Sequence, residues 1–390
     1  MSTVEKNSAG QGTVSADGIE VIPAVRDGEV KVSVIIPIYN EDKFLSLALE
    51  SVTKQTLREI EIICVDDGST DESLEILKSY QQRDGRVRIV TETNAGPGLA
   101  RNNGLRRVRG EFMAFLDADD FFEPTLLEEL YNEAVKNNLD IAISDYDIYN
   151  SKKEVFERVI PSEYESIYKK GKVTSKSEYP DRIFLSTNGA AWNKLFRTSF
   201  VVDKGLVFLP EVKLYEDVYF VVTALSLAER IGMVDKILLH HRVYSGQSRA
   251  KTFHKSYGQV PMIYLKIKEF LMQHGMYAPL SYSFRNMTAS RCYKIFNLLD
   301  SNAKEEFWNL LYTEYADKLD WIGKGMVDFD DMDVFEFVAN VEMYDYKQYK
   351  KRCARGLTLQ LDRIAPLQKT ASTKKKARSF LGKLFGKKGK

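Results

Sequence analysis

The stretch Phe112-Met-Ala-Phe-Leu-Asp-Ala-Asp-Asp120 carries an apolar run straight into three carboxylates within four positions. Such a run suits a strand covered on both faces, and in open α/β sheets ligands collect beyond the carboxyl ends of such strands. At that rim Asp117, Asp119 and Asp120 would repel one another if left unpaired. A divalent cation with oxygen ligands, bridging to a phosphate, would join them. The plainer alternative is a solvated acidic turn ahead of a helix starting near Pro124, and what precedes the stretch decides between the two.

What precedes it alternates strand with helix. Residues 32–36 predict a first strand, left through Pro37-Ile-Tyr-Asn-Glu41, and Phe44, Leu45, Ala48, Leu49 and Val52 then recur at helical spacing. Residues 60–65 predict a second strand ending in Asp66-Asp-Gly-Ser-Thr-Asp71. There Gly68 permits a tight turn, and Ser69, Thr70 or Asp71 can cap the helix carrying Leu74 and Leu77. Residues 87–90 predict a third strand, followed by Gly96-Pro-Gly98 and a further helix. This order implies a mostly parallel sheet with helices on both faces. Asp66 and Asp67 stand where such a sheet receives a nucleotide, able to accept from a base N–H or a ribose hydroxyl. Gly96-Pro-Gly98 follows the third strand and lacks full glycine spacing, which argues against a nicotinamide site.

Composition narrows the function classes. A chain of 390 residues with 44% hydrophobic and 28% charged residues can bury a large core in about two domains. Cys64, Cys292 and Cys353 are odd in number and lack metal-ligand spacing, the pattern of reduced thiols in a cytoplasmic protein. No run of roughly 18 apolar residues predicts a spanning helix. After Asp362 there are ten Lys and Arg and no acid, so the net charge of +1 is +10 from the tail against −9 from residues 1–362. So acidic a body is a poor general nucleic-acid binder.

The Pro37–Glu41 loop, Val65-Asp-Asp-Gly-Ser-Thr-Asp71, Ala100-Arg-Asn-Asn-Gly104 and Phe115-Leu-Asp-Ala-Asp-Asp120, in this order and spacing, resemble the nucleotide-sugar half of an inverting family 2 glycosyltransferase with the GT-A fold. The likeness implies an α/β, Rossmann-like, mostly parallel sheet with flanking helices. It implies a base contact at Asp67, Mg²⁺ or Mn²⁺ on the donor diphosphate at Asp117 and Asp119, and donor contacts from Pro37, Tyr39, Glu41 and Arg101. Farther on, Ala191-Trp-Asn-Lys-Leu-Phe-Arg197 resembles the opening of the acceptor side. Leu214-Tyr-Glu-Asp-Val-Tyr-Phe220 resembles the family's Glu-Asp motif, which points to Asp217 as catalytic base. A single-displacement transfer needs a carboxylate to take the proton of the attacking hydroxyl. Residues 239–248 resemble the end of the family core. They offer Arg242 and Ser248 to the diphosphate, with Tyr244 standing where many members place a His and with His240 and His241 just upstream.

The expected division is a mobile arm over 1–29, a GT-A domain over 30–254 split at about 145 into nucleotide-sugar and acceptor halves, a helical region over 255–362, and a tail over 363–390. In the helical region Ile263, Ile267 and Phe270, and Phe296, Leu298 and Leu299, mark apolar spacing. In the tail Ala377, Phe380, Leu381, Leu384 and Phe385 make one apolar stripe among basic residues, suited to lie on an anionic membrane. The expected enzyme is a metal-dependent transferase using a UDP-sugar and a lipid-linked or surface-polysaccharide acceptor, peripheral on the cytoplasmic face of the plasma membrane. The competing readings are a nucleotidyltransferase on a related fold, with less need of Asp217, and a scaffold that uses the tail to bind partners.

Overall fold

Fully buried apolar strands dominate the first part of the chain because helices cover both of their faces. A computed structural model describes residues 13–14, 20–21, 25–26, 28–158, 167, 172–212, 215–243 and 256–355. The chain divides into two compact units, one up to Arg249 and one from Ala250. In chain order the first unit contains β1 (Val32–Ile38), α1 (Leu45–Thr53), β2 (Ile60–Asp66), α2 (Ser73–Arg83), β3 (Val87–Thr91), α3 (Pro97–Leu105) and β4 (Phe112–Phe115). There follow β5 (Phe121–Phe122), α4 (Leu126–Lys136), β6 (Ile141–Asn150), β7 (Val155–Arg158), β8 (Lys194–Arg197), α5 (Thr198–Asp203), α6 (Glu216–Leu227) and β9 (Ile231–Val243).

The main sheet runs β3-β2-β1-β4-β8-β6-β9-β5, with β7 on β6. Its first four strands are parallel, as the strand–helix alternation predicts. Beyond β4 it is mixed: β8 enters antiparallel to both β4 and β6, whereas β6 and β9 are parallel. The reason is connectivity, since β8 reaches the sheet through a long excursion after β7 rather than through a right-handed crossover helix. Val32, Val34, Ile36 and Ile38 of β1 share one core cluster with Leu45, Leu49 and Val52 of α1 and Leu127 and Leu130 of α4. On the other side Phe115, Phe196, Phe208 and Phe220 pack ring against ring at centroid distances of 4.3–6.1 Å. That aromatic cluster ties β4 and β8 to α6.

Helix α3 lies so close to β1 that a Cβ on Gly104 would come 2.4 Å from Cγ2 of Ile35. Helix propensity alone makes Gly104→Ala stabilising by up to about 1 kcal/mol. The displaced atom belongs to a β-branched, fully buried side chain, and overpacking of that kind costs about 1–3 kcal/mol. The expected result is a lower denaturation midpoint, lower still for Gly104→Val. An unchanged midpoint in urea would show that α3 can shift freely.

The second unit is helical: α7 (Gln259–Gln273), α8 (Tyr277–Leu298), α9 (Ser301–Leu310), a π-helical turn Leu311–Tyr315, α10 (Met332–Met343) and α11 (Tyr346–Cys353). Ile263, Ile267, Phe296 and Leu299 are buried, but Leu298 is 72% exposed. It stands at the last residue of α8 and turns away from the face its neighbours bury. Trp308 and Trp321 are fully buried, with indole N–H groups donating to the Tyr344 carbonyl (3.0 Å) and to Thr288 Oγ1 (3.1 Å). No described helix is long and apolar enough to cross a membrane. The tail stripe, Ser248 and Tyr244 lie outside the described residues.

Candidate active site

Three loops at the carboxyl ends of β1, β2 and β3 are fastened to one another by side chains of the β2 loop and by Asn40 of the β1 loop. Ser69 Oγ accepts from Asn40 N (3.1 Å), Asn40 Oδ1 accepts from Thr70 N (2.7 Å), and Ser73 Oγ accepts from Glu41 N (3.0 Å). Asn40 takes up φ +55°, a left-handed conformation that Asn tolerates better than most residues. Of the three expected caps, Ser69 and Thr70 therefore serve the neighbouring loop. Asp71 spans both tasks, taking Ser73 N on one oxygen and Asp42 N on the other, each at 3.0 Å. Pro37 and Glu41 are half-buried and Tyr39 is exposed on the β1 loop so fixed. Asp67, buried, accepts from Ala95 N (2.7 Å) and Gly96 N (2.8 Å), which sets the entry to α3.

At the end of β4, Asp117, Asp119 and Asp120 place one carboxylate oxygen each within 4.8 Å of one another. Arg101 reaches them from α3. Its Nη2 donates to Asp117 Oδ1 and its Nη1 to Glu216 Oε1, both at 2.5 Å, while its plane lies over the Phe208 ring at 5.5 Å. Burial opposes the charge on Arg101, but Asp117, Glu216 and Asp217 outweigh it and hold the guanidinium still more firmly protonated. One buried cation thus joins the acidic loop to the start of α6, a partner for Asp117 that its sequence neighbours do not reveal. Tyr215, at φ +63°, turns the chain sharply into α6, whose first two residues are Glu216 and Asp217. Burial, then the charge of Glu216, push Asp217 up to about 7 against the pull of Arg101.

Strand β9 closes the other side. Asp120 is 1% exposed. Its carboxylate meets His241 Nδ1 at 3.0 Å and accepts from Arg242 N at 2.8 Å. Burial raises the pKa of Asp120, and His241 draws it partly back. The His241 ring stacks on Trp192 at 5.3 Å, and Trp192 meets Tyr146 edge-on at 4.6 Å. His240 points to a separate pair, with Nδ1 2.6 Å from Asp147 and Nε2 2.9 Å from Glu123. Arg242 is buried and sends Nε to the Asp119 carbonyl (2.7 Å) and Nη1 to Ser151 Oγ (2.9 Å).

Lys194 escaped sequence reading because it opens a strand as a charged residue whose oxygen partners come from a folded loop. It is fully buried. Its ammonium donates to the carbonyls of Asn188 and Ala190 and to the side-chain oxygens of Asn188 and Asn193, at 2.7–3.1 Å. Burial drives its pKa well below the ordinary lysine value, opposed by the charge of Asp217. A Lys after Asn at a strand start, with small residues just upstream, was the available signal.

The acidic loop offers only carboxylate oxygens, the donor set of Mg²⁺ and Mn²⁺ rather than of softer metals. With Asp120 engaged by β9, Asp117 and Asp119 are the less buried pair, and the cluster fits such an ion.

The family model described as glycosyl transferase family 2 matches residues 33–197. "Uncharacterized glycosyltransferase EpsJ" of Bacillus subtilis is 32% identical over 215 residues, 54% of this chain and 60% of that protein. "Poly(ribitol-phosphate) beta-glucosyltransferase" of Bacillus spizizenii is 31% identical over 208 residues, 52% of this chain and 31% of that protein. The chain thus spans about three fifths or less of these relatives. Among solved structures, S. aureus TarS 1-349 in complex with UDP-GlcNAc superposes with a TM-score of 0.63 at 22% identity. It covers 84% of this chain and 92% of its own, which fixes the fold as GT-A.

Proposed function

We propose that this chain, a family 2 glycosyltransferase over residues 33–197, moves a sugar from a UDP-sugar to a hydroxyl of a lipid-linked or cell-surface polysaccharide, with inversion and with Mn²⁺ or Mg²⁺. The observation that carries this reading is the Arg101 bridge, which sets the Asp117–Asp119 loop beside the base candidate Asp217. The TarS complexes with UDP and with UDP-GlcNAc support a uridine donor. The name of the poly(ribitol-phosphate) relative supports a polymer acceptor.

In this reading Pro37, Tyr39, Glu41 and Asp67 form the nucleotide end, where the interlocked loops present a fixed surface to the base and ribose. Asp117 and Asp119 hold the cation, which supplies charge stabilisation to the leaving diphosphate. Arg101, permanently cationic, adds a second positive charge on that side and holds Glu216, which keeps α6 in place. Asp217 takes the proton from the acceptor hydroxyl. A base with a pKa near the working pH is the most effective, because it is largely ionised yet still basic. A panel of nucleotide sugars with Mn²⁺, assayed for hydrolysis or transfer, tests the proposal. Turnover of a UDP-sugar supports it, and no turnover or binding of any nucleotide sugar would overturn it.

The basic tail extends the proposal to location. Each basic residue near an anionic surface contributes about 1 kcal/mol, and the apolar stripe from Ala377 to Phe385 adds burial. Deleting residues 366–390 is expected to abolish co-sedimentation with anionic vesicles and to leave transfer to a water-soluble acceptor intact. A truncated protein that pellets like the full chain would move the contact elsewhere.

A further inference from the structure

We infer that Arg242 is a positioning residue for the cation-holding loop and not a ligand of the diphosphate. The inference rests on the proposed metal role of Asp117 and Asp119. The guanidinium is walled by three rings, Phe44 at 4.7 Å, Tyr149 at 5.1 Å and Phe121 at 5.4 Å from its carbon. Its Nε donates to the backbone carbonyl of Asp119 and its Nη1 to Ser151 Oγ, and its own amide donates to Asp120. Arg242 is paired with Tyr149 in the β6–β9 ladder, so the backbone that carries it is held independently of any ligand.

These contacts divide the labour within the loop. The amide of Arg242 and the His241 ring fix the Asp120 carboxylate, while the guanidinium fixes the Asp119 peptide, which sets where the Asp119 side chain departs. Phe44 comes from the segment between β1 and α1, so the cage also joins the acidic loop to the β1 side of the cleft. Only a planar guanidinium can lie among rings and still aim an N–H at a carbonyl at 2.7 Å. A lysine ammonium offers charge without that plane. The Asp119 carbonyl and Ser151 Oγ take Nε and Nη1, so a diphosphate could be met only through the N–H groups these two acceptors leave over.

The test is Mn²⁺ binding followed by the loss of the free-ion paramagnetic resonance signal, with and without UDP, and UDP binding followed by calorimetry in EDTA. Partners that orient metal ligands from behind typically contribute 10–100-fold to affinity. Arg242→Gln is expected to weaken Mn²⁺ binding by that factor and to leave UDP binding in EDTA unchanged. Arg242→Lys is expected to resemble Gln. A diphosphate ligand would give the opposite pattern, weaker UDP binding without metal and substantial rescue by Lys, and that result would overturn the inference. Should the Arg242 variants fail to fold, Ser151→Ala removes one anchor of the guanidinium. It should weaken Mn²⁺ binding severalfold in the same direction, and no change there would also overturn the inference. Wild-type protein that binds no Mn²⁺ would remove the metal reading itself and this inference with it. Wild type and Arg242→Gln that bind Mn²⁺ equally would remove only the inference.

Discussion

Asp217→Asn is expected to retain UDP and metal binding and to lose turnover by about 10²–10⁴, the usual contribution of a general base. The variant keeps the shape of the side chain and the start of α6, and it removes only the capacity to accept a proton. The pKa shift predicts two further signatures. Asp217 is pushed up to about 7 by burial and by Glu216, so kcat/KM of the wild type should fall about tenfold per pH unit below the inflection. A cation bound nearby favours the ionised carboxylate, which places that inflection at or somewhat below 7. The stability effect has the opposite sense. A carboxyl group with a raised pKa costs the fold nothing below its unfolded value, and it costs progressively more as pH rises to the folded value. Asp217→Asn should therefore be at least as stable as the wild type above pH 7, by thermal melting, so its lost rate would not reflect unfolding. Near wild-type turnover would transfer the role of base to another carboxylate.

Asp119→Asn should abolish transfer and weaken metal-dependent UDP binding by at least about 100-fold, more than loss of an outer partner would give. The change leaves a loop whose other two carboxylates are neighboured by Arg101 and by the His241 ring, a poor attractor for a divalent ion. Because the Asp119 carbonyl still accepts from Arg242 Nε and the Arg242 amide still donates to the Asp120 carboxylate, the loop should keep its course and the protein its melting temperature. Calorimetric titration of UDP with Mn²⁺ decides the matter, and unchanged binding would remove Asp119 from the site.

The parallel half of the sheet was legible because its strands are continuous apolar runs, closed by Gly68 and by the acidic ends of β2 and β4. The later strands were not. Strand β8 begins with a charged residue, Lys194, whose suitability for a core depends on four oxygens that only the folded loop provides. Strand β9 carries Asp235 and Lys236 in its middle, where its register with β6 shifts, so no alternation betrays a 13-residue strand. The acidic loop and Asp217 could be singled out from local motifs. Their coupling could not, because Arg101 and Glu216 are 115 positions apart and Asp120 and Arg242 are 122 apart. Arg242 illustrates the limit: its residue type suggests a phosphate, and only its surroundings show a guanidinium among three rings.

The same long-range brace bears on how the molecule comes into being. Strands β1 to β4 pair over short loops through helical crossovers, so that part of the sheet can form early as the chain leaves the ribosome. The acidic loop waits for β9, made some 120 residues later, before Asp120 meets its partners. At about 5–20 residues per second, several seconds of synthesis separate the two events. For that interval the nascent protein would have most of its proposed nucleotide surface and an acidic loop held by Arg101 but not yet fastened at Asp120, so on the proposed reading the order of synthesis itself delays chemistry until most of the first unit exists.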